Sequence, residues 1–196
     1  MLDRLSFFGV MRMLVIVSGY ASVGKTTIAK AIAQEMHAAF INGPATIERL
    51  MDEVLSAKGI DGHDFQTVMK KRLETDKAVE VLRKIVVDNE ENGVDTVIEL
   101  STYYSDAHIV EGTDIKVRHV EITLPVEMER AQLAAHNPTL YAAINWAEHV
   151  ATRFPVYSDG ALFEQNVVLE YDNTVPLQPE RIAAFVKKFI RNETFY

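Results

Sequence analysis

The residues best able to do chemistry lie in one short stretch, Gly19-Tyr20-Ala21-Ser22-Val23-Gly24-Lys25-Thr26-Thr27. It fits GxxxxGK(S/T) at every fixed position. Each fixed residue has its own physical reason. The glycines admit backbone conformations in which successive N–H groups face an anion. A helix opening near Lys25 turns its positive dipole end to the same point. The Lys25 ammonium reaches the β and γ phosphates, and the Thr26 hydroxyl ligates Mg²⁺. Thr27 offers a further hydroxyl to the α phosphate. The stretch predicts a binding site for a nucleoside triphosphate with Mg²⁺.

A second candidate is an acid. Phosphoryl transfer needs positioning and charge neutralisation more than covalent chemistry. An acid at the end of a core strand positions Mg²⁺ through water, or accepts the proton of an attacking hydroxyl. Glu99 ends the apolar run of VDTVIEL, just before a loop. A buried acid there requires a partner. An exposed one would be an ordinary surface residue. The first case makes Glu99 a catalytic and metal-positioning candidate.

These residues need a frame. Met13 to Ser18 is a short apolar run bounded by glycine, which reads as a buried parallel strand. Lys25 to His37 carries a helical apolar stripe at Ile28, Ala29, Ile32, Ala33 and Met36. Ala39 to Ile41 reads as a second strand, and Asn42-Gly43-Pro44 as a break. Helices are expected over 46–58 and 65–92, the latter stopped by Gly93. Further strands are expected over 94–100, 116–124 and 166–171. Residues 101–112 read as a loop with a short helix, 126–154 as a helix broken at Asn137-Pro138, and 179–191 as a closing helix. Strands alternating with helices predict a single α/β domain built on a five-stranded parallel sheet flanked by helices. Ligands in such sheets sit beyond the carboxyl ends of the strands. The loops after Ser18, Ile41 and Leu100 therefore converge on one cleft.

The bulk composition narrows the function classes. The chain has 196 residues, 48% hydrophobic and 24% charged, which suits one globular domain with a full core. No stretch reaches the roughly 18 to 20 apolar residues of a membrane span. A secretory signal is not expected, because the opening segment carries Asp3 and its apolar run leads straight into the phosphate loop. Met11 and Met13 are alternative starts, which makes residues 1–12 an expected extension. Without cysteine there is no disulfide or thiolate metal site, and a cytoplasmic setting is expected. A net charge of −8 argues against a nucleic-acid partner.

The loop GYASVGKTT, the chain length and the strand–helix order resemble the small P-loop kinases, the group of adenylate, shikimate and gluconate kinases. The resemblance covers most of residues 13–192. It implies the three-layer P-loop NTPase fold with a helical lid. It also implies transfer of the γ-phosphoryl group of ATP to a small acceptor, by a monomer or homodimer. By this resemblance residues 42–92 hold the acceptor, with Asn42, Arg49, Arg72 and Tyr103 as candidates. Residues 126–155 correspond to the lid, flanked by Arg130 and Arg153 as catalytic candidates. The loop Asn173-Thr174-Val175-Pro176 borders the base, which makes Asn173 and Pro176 nucleotide-binding candidates.

The chain departs from the family pattern in two places. Asn42 stands where many relatives carry Asp, and an amide cannot act as a base. No Lys or Arg lies between Arg130 and Arg153. His136 and His149 could donate hydrogen bonds in that interval, though a lone histidine on a helix is more often structural. These departures motivate a second reading, a nucleotide-binding switch or assembly ATPase. A polynucleotide kinase is a third, disfavoured by the acidic charge. A GTPase fits worse, because neither DxxG nor NKxD occurs.

Overall fold

In the computed structural model, residues 12–57, 79–100, 115–147 and 168–191 are described. Five strands form one sheet in the order β2-β3-β1-β4-β5. They are β1 (Met13–Ser18), β2 (Ala39–Asn42), β3 (Thr96–Glu99), β4 (Lys116–Thr123) and β5 (Val168–Asp172). All neighbouring pairs are parallel. β1 is central, with Val17 opposite Glu99 on β3 and opposite Val120 on β4.

The alternation of side chains along a strand divides the core. Val15 and Val17 of β1 face one side of the sheet and pack with Ile28, Ala29, Ile32 and Ala33 of α1 (Lys25–Met36). Ile182 and Phe185 of α6 (Pro179–Phe185) join them, as do Val186 and Ile190 of the π-helical turn that extends it. Leu14 and Ile16 face the other side. There they meet Ile47 of α2 (Gly43–Ala57) and Val79, Leu82 and Val86 of α3 (residues 79–91). The result is the expected three layers, helices on both faces of a parallel sheet.

Beyond shifts of a residue or two at strand ends and the π-helical turn at 186–190, two boundaries differ from expectation. Asn42-Gly43-Pro44 does not break the chain; α2 opens at Gly43, directly on the end of β2. Pro44 suits a first helical turn because its missing N–H is not required there. The Asn42 side chain supplies the cap, its Oδ1 accepting from the Ala45 N–H at 3.0 Å. A Cβ at Gly43 would lie 2.5 Å from the Glu99 carbonyl oxygen, so glycine is what lets α2 start this close to β3. The second difference lies after β4. α4 (Val126–His136) and α5 (Pro138–Ala143) are separated at Asn137, as expected, but α5 ends at an extended Ile144 instead of running on. Asn137 caps α5 by accepting from the Leu140 N–H.

A histidine lies in the core. His119 on β4 is 2% exposed, and burial pushes its imidazole down from 6.5 to about 4. Its folded value lies below the unfolded one, so the unfolded chain takes up the proton first as pH falls. The stability that the neutral ring contributes is complete above 6.5 and is lost on acidification toward about 4. Each pH unit in that window costs up to about 1.4 kcal/mol. Urea unfolding between neutral and mildly acid pH should show this slope, and His119→Gln should flatten it. An unchanged slope in that variant would contradict the assignment.

Candidate active site

The carboxyl ends of β1 and β3 lie side by side, and the site is built there. Gly19 and Gly24 hold φ of 141° and 93°, the backbone region glycine tolerates best. Both also permit close approach. A Cβ on Gly19 would come 2.7 Å from the Ile122 carbonyl oxygen, and one on Gly24 would come 2.5 Å from Asn173 Nδ2. Between them Val23 is fully buried in the core, while Tyr20 packs against it, half-buried. These anchors hold the backbone of Ala21 and Ser22 in a turn before α1. No N-cap side chain bonds to α1 and its own first turn carries no acid, so the helix itself supplies nothing to offset its positive end.

Lys25 folds back over this loop, its Nζ donating to the Tyr20 carbonyl oxygen at 2.6 Å. Burial lowers the pKa of its ammonium, and the carboxylates of Glu99 and Glu129 act in the opposite sense. Thr26 Oγ1 donates to Glu99 Oε1 at 3.0 Å. Glu99 is 5% exposed, and its Oε2 is buried without a hydrogen-bond partner. A buried carboxylate oxygen left this way is costly unless a cation serves it. Glu99 and Thr26 together offer the hard oxygen donors that suit Mg²⁺, which takes few protein ligands and completes its shell with phosphate and water.

The cleft around these groups has a volume of about 360 Å³. Ser22, Gly24, Lys25, Thr26, Thr27 and Glu99 line it, together with Gln132 and His136 of α4. The last two stand four residues apart, on one face of the helix. Glu129 and Leu133 form the adjacent buried stripe of α4, both almost fully enclosed.

The remaining sequence candidates are placed as follows. The Arg130 guanidinium stacks 4.7 Å over the Trp146 ring. Asn173 Nδ2 donates to the Val23 carbonyl oxygen at 2.8 Å, and its backbone N–H donates to that of Thr123. This pins the loop after β5 to the phosphate loop. Arg181 holds the same loop from beyond, donating to the carbonyl oxygens of Asp172 and Val175, and Pro176 follows on the exposed surface. Asn42 is adjacent to Glu99 in the sheet register. Arg49 is exposed and ion-paired with Glu53 at 3.3 Å. Arg72, Tyr103, Arg153 and His149 lie outside the described residues.

Two residues of the site were not singled out by sequence reasoning, Gln132 and Glu129. The signal for Glu129 was available: it shares the i,i+4 stripe of Leu133, so an acid occupies a core position. Gln132 had no such signal, since a glutamine on a helix reads as solvated surface.

No protein-family profile matches the chain, and no curated protein matches it by sequence. Solved structures do match. A sugar kinase from Janibacter sp. superposes with a TM-score of 0.61 at 20% identity, over 92% of this chain and 95% of that one. A shikimate kinase from Bacteroides thetaiotaomicron gives 0.56 at 15% identity, over 91% and 98%. A gluconokinase from Sinorhizobium meliloti gives 0.51 at 13% identity, over 89% of each chain. At these identities the likeness is one of fold, and it spans nearly the whole length of each protein. No helix among the described residues is long and apolar enough to cross a membrane.

Proposed function

We propose that this chain, which has the fold of the P-loop small-molecule kinases, moves the γ-phosphoryl group of ATP to a small acceptor. One observation carries the reading. The Thr26 hydroxyl and the Glu99 carboxylate meet at 3.0 Å beside Lys25, with the second Glu99 oxygen unpartnered in the same cleft. A structural ion pair would satisfy both carboxylate oxygens. An acid held half-satisfied beneath a phosphate loop is poised for a cation or a proton.

The residues divide the work accordingly. The N–H groups of the phosphate loop and the open end of α1 bind the phosphate chain. Lys25 leaves the Tyr20 carbonyl and moves its charge onto the β and γ phosphates. Thr26 and Glu99 hold Mg²⁺, which when bound neutralises charge on the transferring group. Glu99 is also placed to draw the acceptor's hydroxyl proton. Asn173 keeps the base-bordering loop in register with the phosphate loop, and Pro176 extends that border. Asn42, beside Glu99, and Arg49 on α2 are assigned to the acceptor, together with Arg72 and Tyr103. Arg130 and Arg153 are assigned to the lid.

Incubation with ATP, Mg²⁺ and a panel of sugars, sugar acids, cyclic hydroxy acids, nucleosides and nucleotides tests this reading. At least one acceptor should raise ADP release well above the rate with water alone. Tight ATP binding with no stimulation by any acceptor class would count against it.

A nucleotide-dependent switch remains the second reading. Arg130 is stacked on Trp146, and α4 offers the cleft a glutamine and a histidine. Both features suit slow hydrolysis. This reading requires a partner whose affinity differs between the ATP-bound and ADP-bound forms.

A further inference from the structure

The α4 side of the cleft has no assigned role. Gln132 and His136 line the same space as Lys25, Thr26 and Thr27. Lys25 is the one Lys or Arg among the described lining residues. A transferring phosphoryl group carries charge over three oxygens, more than one ammonium and one cation can face from a single side. Among the described residues, the side-chain donors that line this cleft from outside the phosphate loop and α1 are those of α4.

The geometry fixes what His136 can offer. Its Nδ1 lies 2.8 Å from the Gln132 carbonyl oxygen. A carbonyl only accepts, so Nδ1 carries the hydrogen. Nε2 is therefore the ring position open to a ligand, and it donates to a phosphate oxygen when the ring carries both protons. The Gln132 amide supplies two further N–H donors whatever the pH. One helical turn separates the two side chains, so they present donors side by side. His136 is exposed, and Gln132 is half-buried. Neither is needed to fill the core.

We infer that Gln132 and His136 form a donor pair on α4 that grips the terminal phosphoryl group of the bound triphosphate, and so distinguishes ATP from ADP. The pair supplies donors in the stretch between Arg130 and Arg153, which holds no Lys or Arg. The inference rests on the reading of the cleft as a triphosphate site and goes beyond it by assigning γ-phosphate recognition to two uncharged or conditionally charged side chains.

Dissociation constants for Mg²⁺ with a non-hydrolysable ATP analogue and for Mg²⁺ with ADP test it directly. The proteins are wild type, Gln132→Ala, His136→Ala, the double variant and His136→Arg. Each alanine should weaken analogue binding by ~10-fold, the usual size of a lost hydrogen bond to a charged group. The double variant should lose more than either, and ADP affinity should stay within about twofold throughout. His136→Arg should retain the wild-type preference, because a guanidinium restores charge and donor together. Thermal melts of the variants should match wild type. An analogue-to-ADP ratio unchanged in the double variant overturns the inference and leaves the triphosphate site standing. Wild-type protein that binds neither nucleotide overturns both.

Discussion

Replacing Lys25 with alanine should weaken binding of Mg²⁺ with ATP by about 100-fold or more, while the protein stays folded. The direct loss is one strong charge-assisted contact to the phosphates, worth roughly 3 kcal/mol. The surroundings add to it. Lys25 sits between two buried carboxylates, Glu99 and Glu129, both of which act on its ammonium. Without that cation, the phosphates would enter a cleft whose nearest fixed charges are negative. ADP binding should fall less, since the γ phosphate is the group that gains most from Nζ. Calorimetric titration of the variant measures both affinities, and a melting curve confirms the fold. Unchanged ATP affinity in this variant would remove the premise on which every other assignment depends.

Glu99→Gln should act differently, leaving nucleotide affinity largely intact and lowering turnover by ~10²–10³-fold, the usual range for a lost acid–base group. The amide oxygen can still accept from Thr26, so the loop geometry is preserved. The partnerless carboxylate oxygen is replaced by an amide nitrogen, which neither ligates Mg²⁺ nor accepts a proton. The variant should therefore need more Mg²⁺ for half-maximal rate. Steady-state rates across a Mg²⁺ series, with ATP saturating, separate the two contributions. A variant as active as wild type, at the same Mg²⁺ demand, would show that Glu99 is only a buried structural acid.

The phosphate-loop motif and its strand–helix setting were legible in the sequence because their signal is local. GYASVGKTT is contiguous, and each residue's role follows from position within one loop and one helix end. The strands were legible for the same reason, as short apolar runs or, over KVRHVEITL, as alternation. Glu99 was singled out because the end of a parallel strand is also the place where ligands sit, and the structure places it, buried, against Thr26. The α4 part of the lining was not legible. Gln132 and His136 acquire meaning only when α4 lies over a loop more than one hundred residues earlier in the chain. On their own they look like any solvated helix face. Arg130 carries the charge that the cleft wants, yet Trp146 holds it by a stacking contact that no spacing rule anticipates. Asn42 was read for its chemistry as an amide, while its Oδ1 serves the backbone of α2. Asn173 was placed at the nucleotide by position in the chain; its bond to Val23, which ties two distant loops together, needed coordinates.

The fate of the γ phosphorus decides between the two readings of this cleft. Wild-type protein is incubated with γ-labelled ATP, Mg²⁺ and the acceptor classes named above, and the label is followed by chromatography. The label should leave ATP for one organic product, with ADP formed in equal amount, and Lys25→Ala should abolish the transfer. Label found only in ATP and inorganic phosphate, for every acceptor and with ATP bound tightly, would contradict a kinase and leave the nucleotide switch.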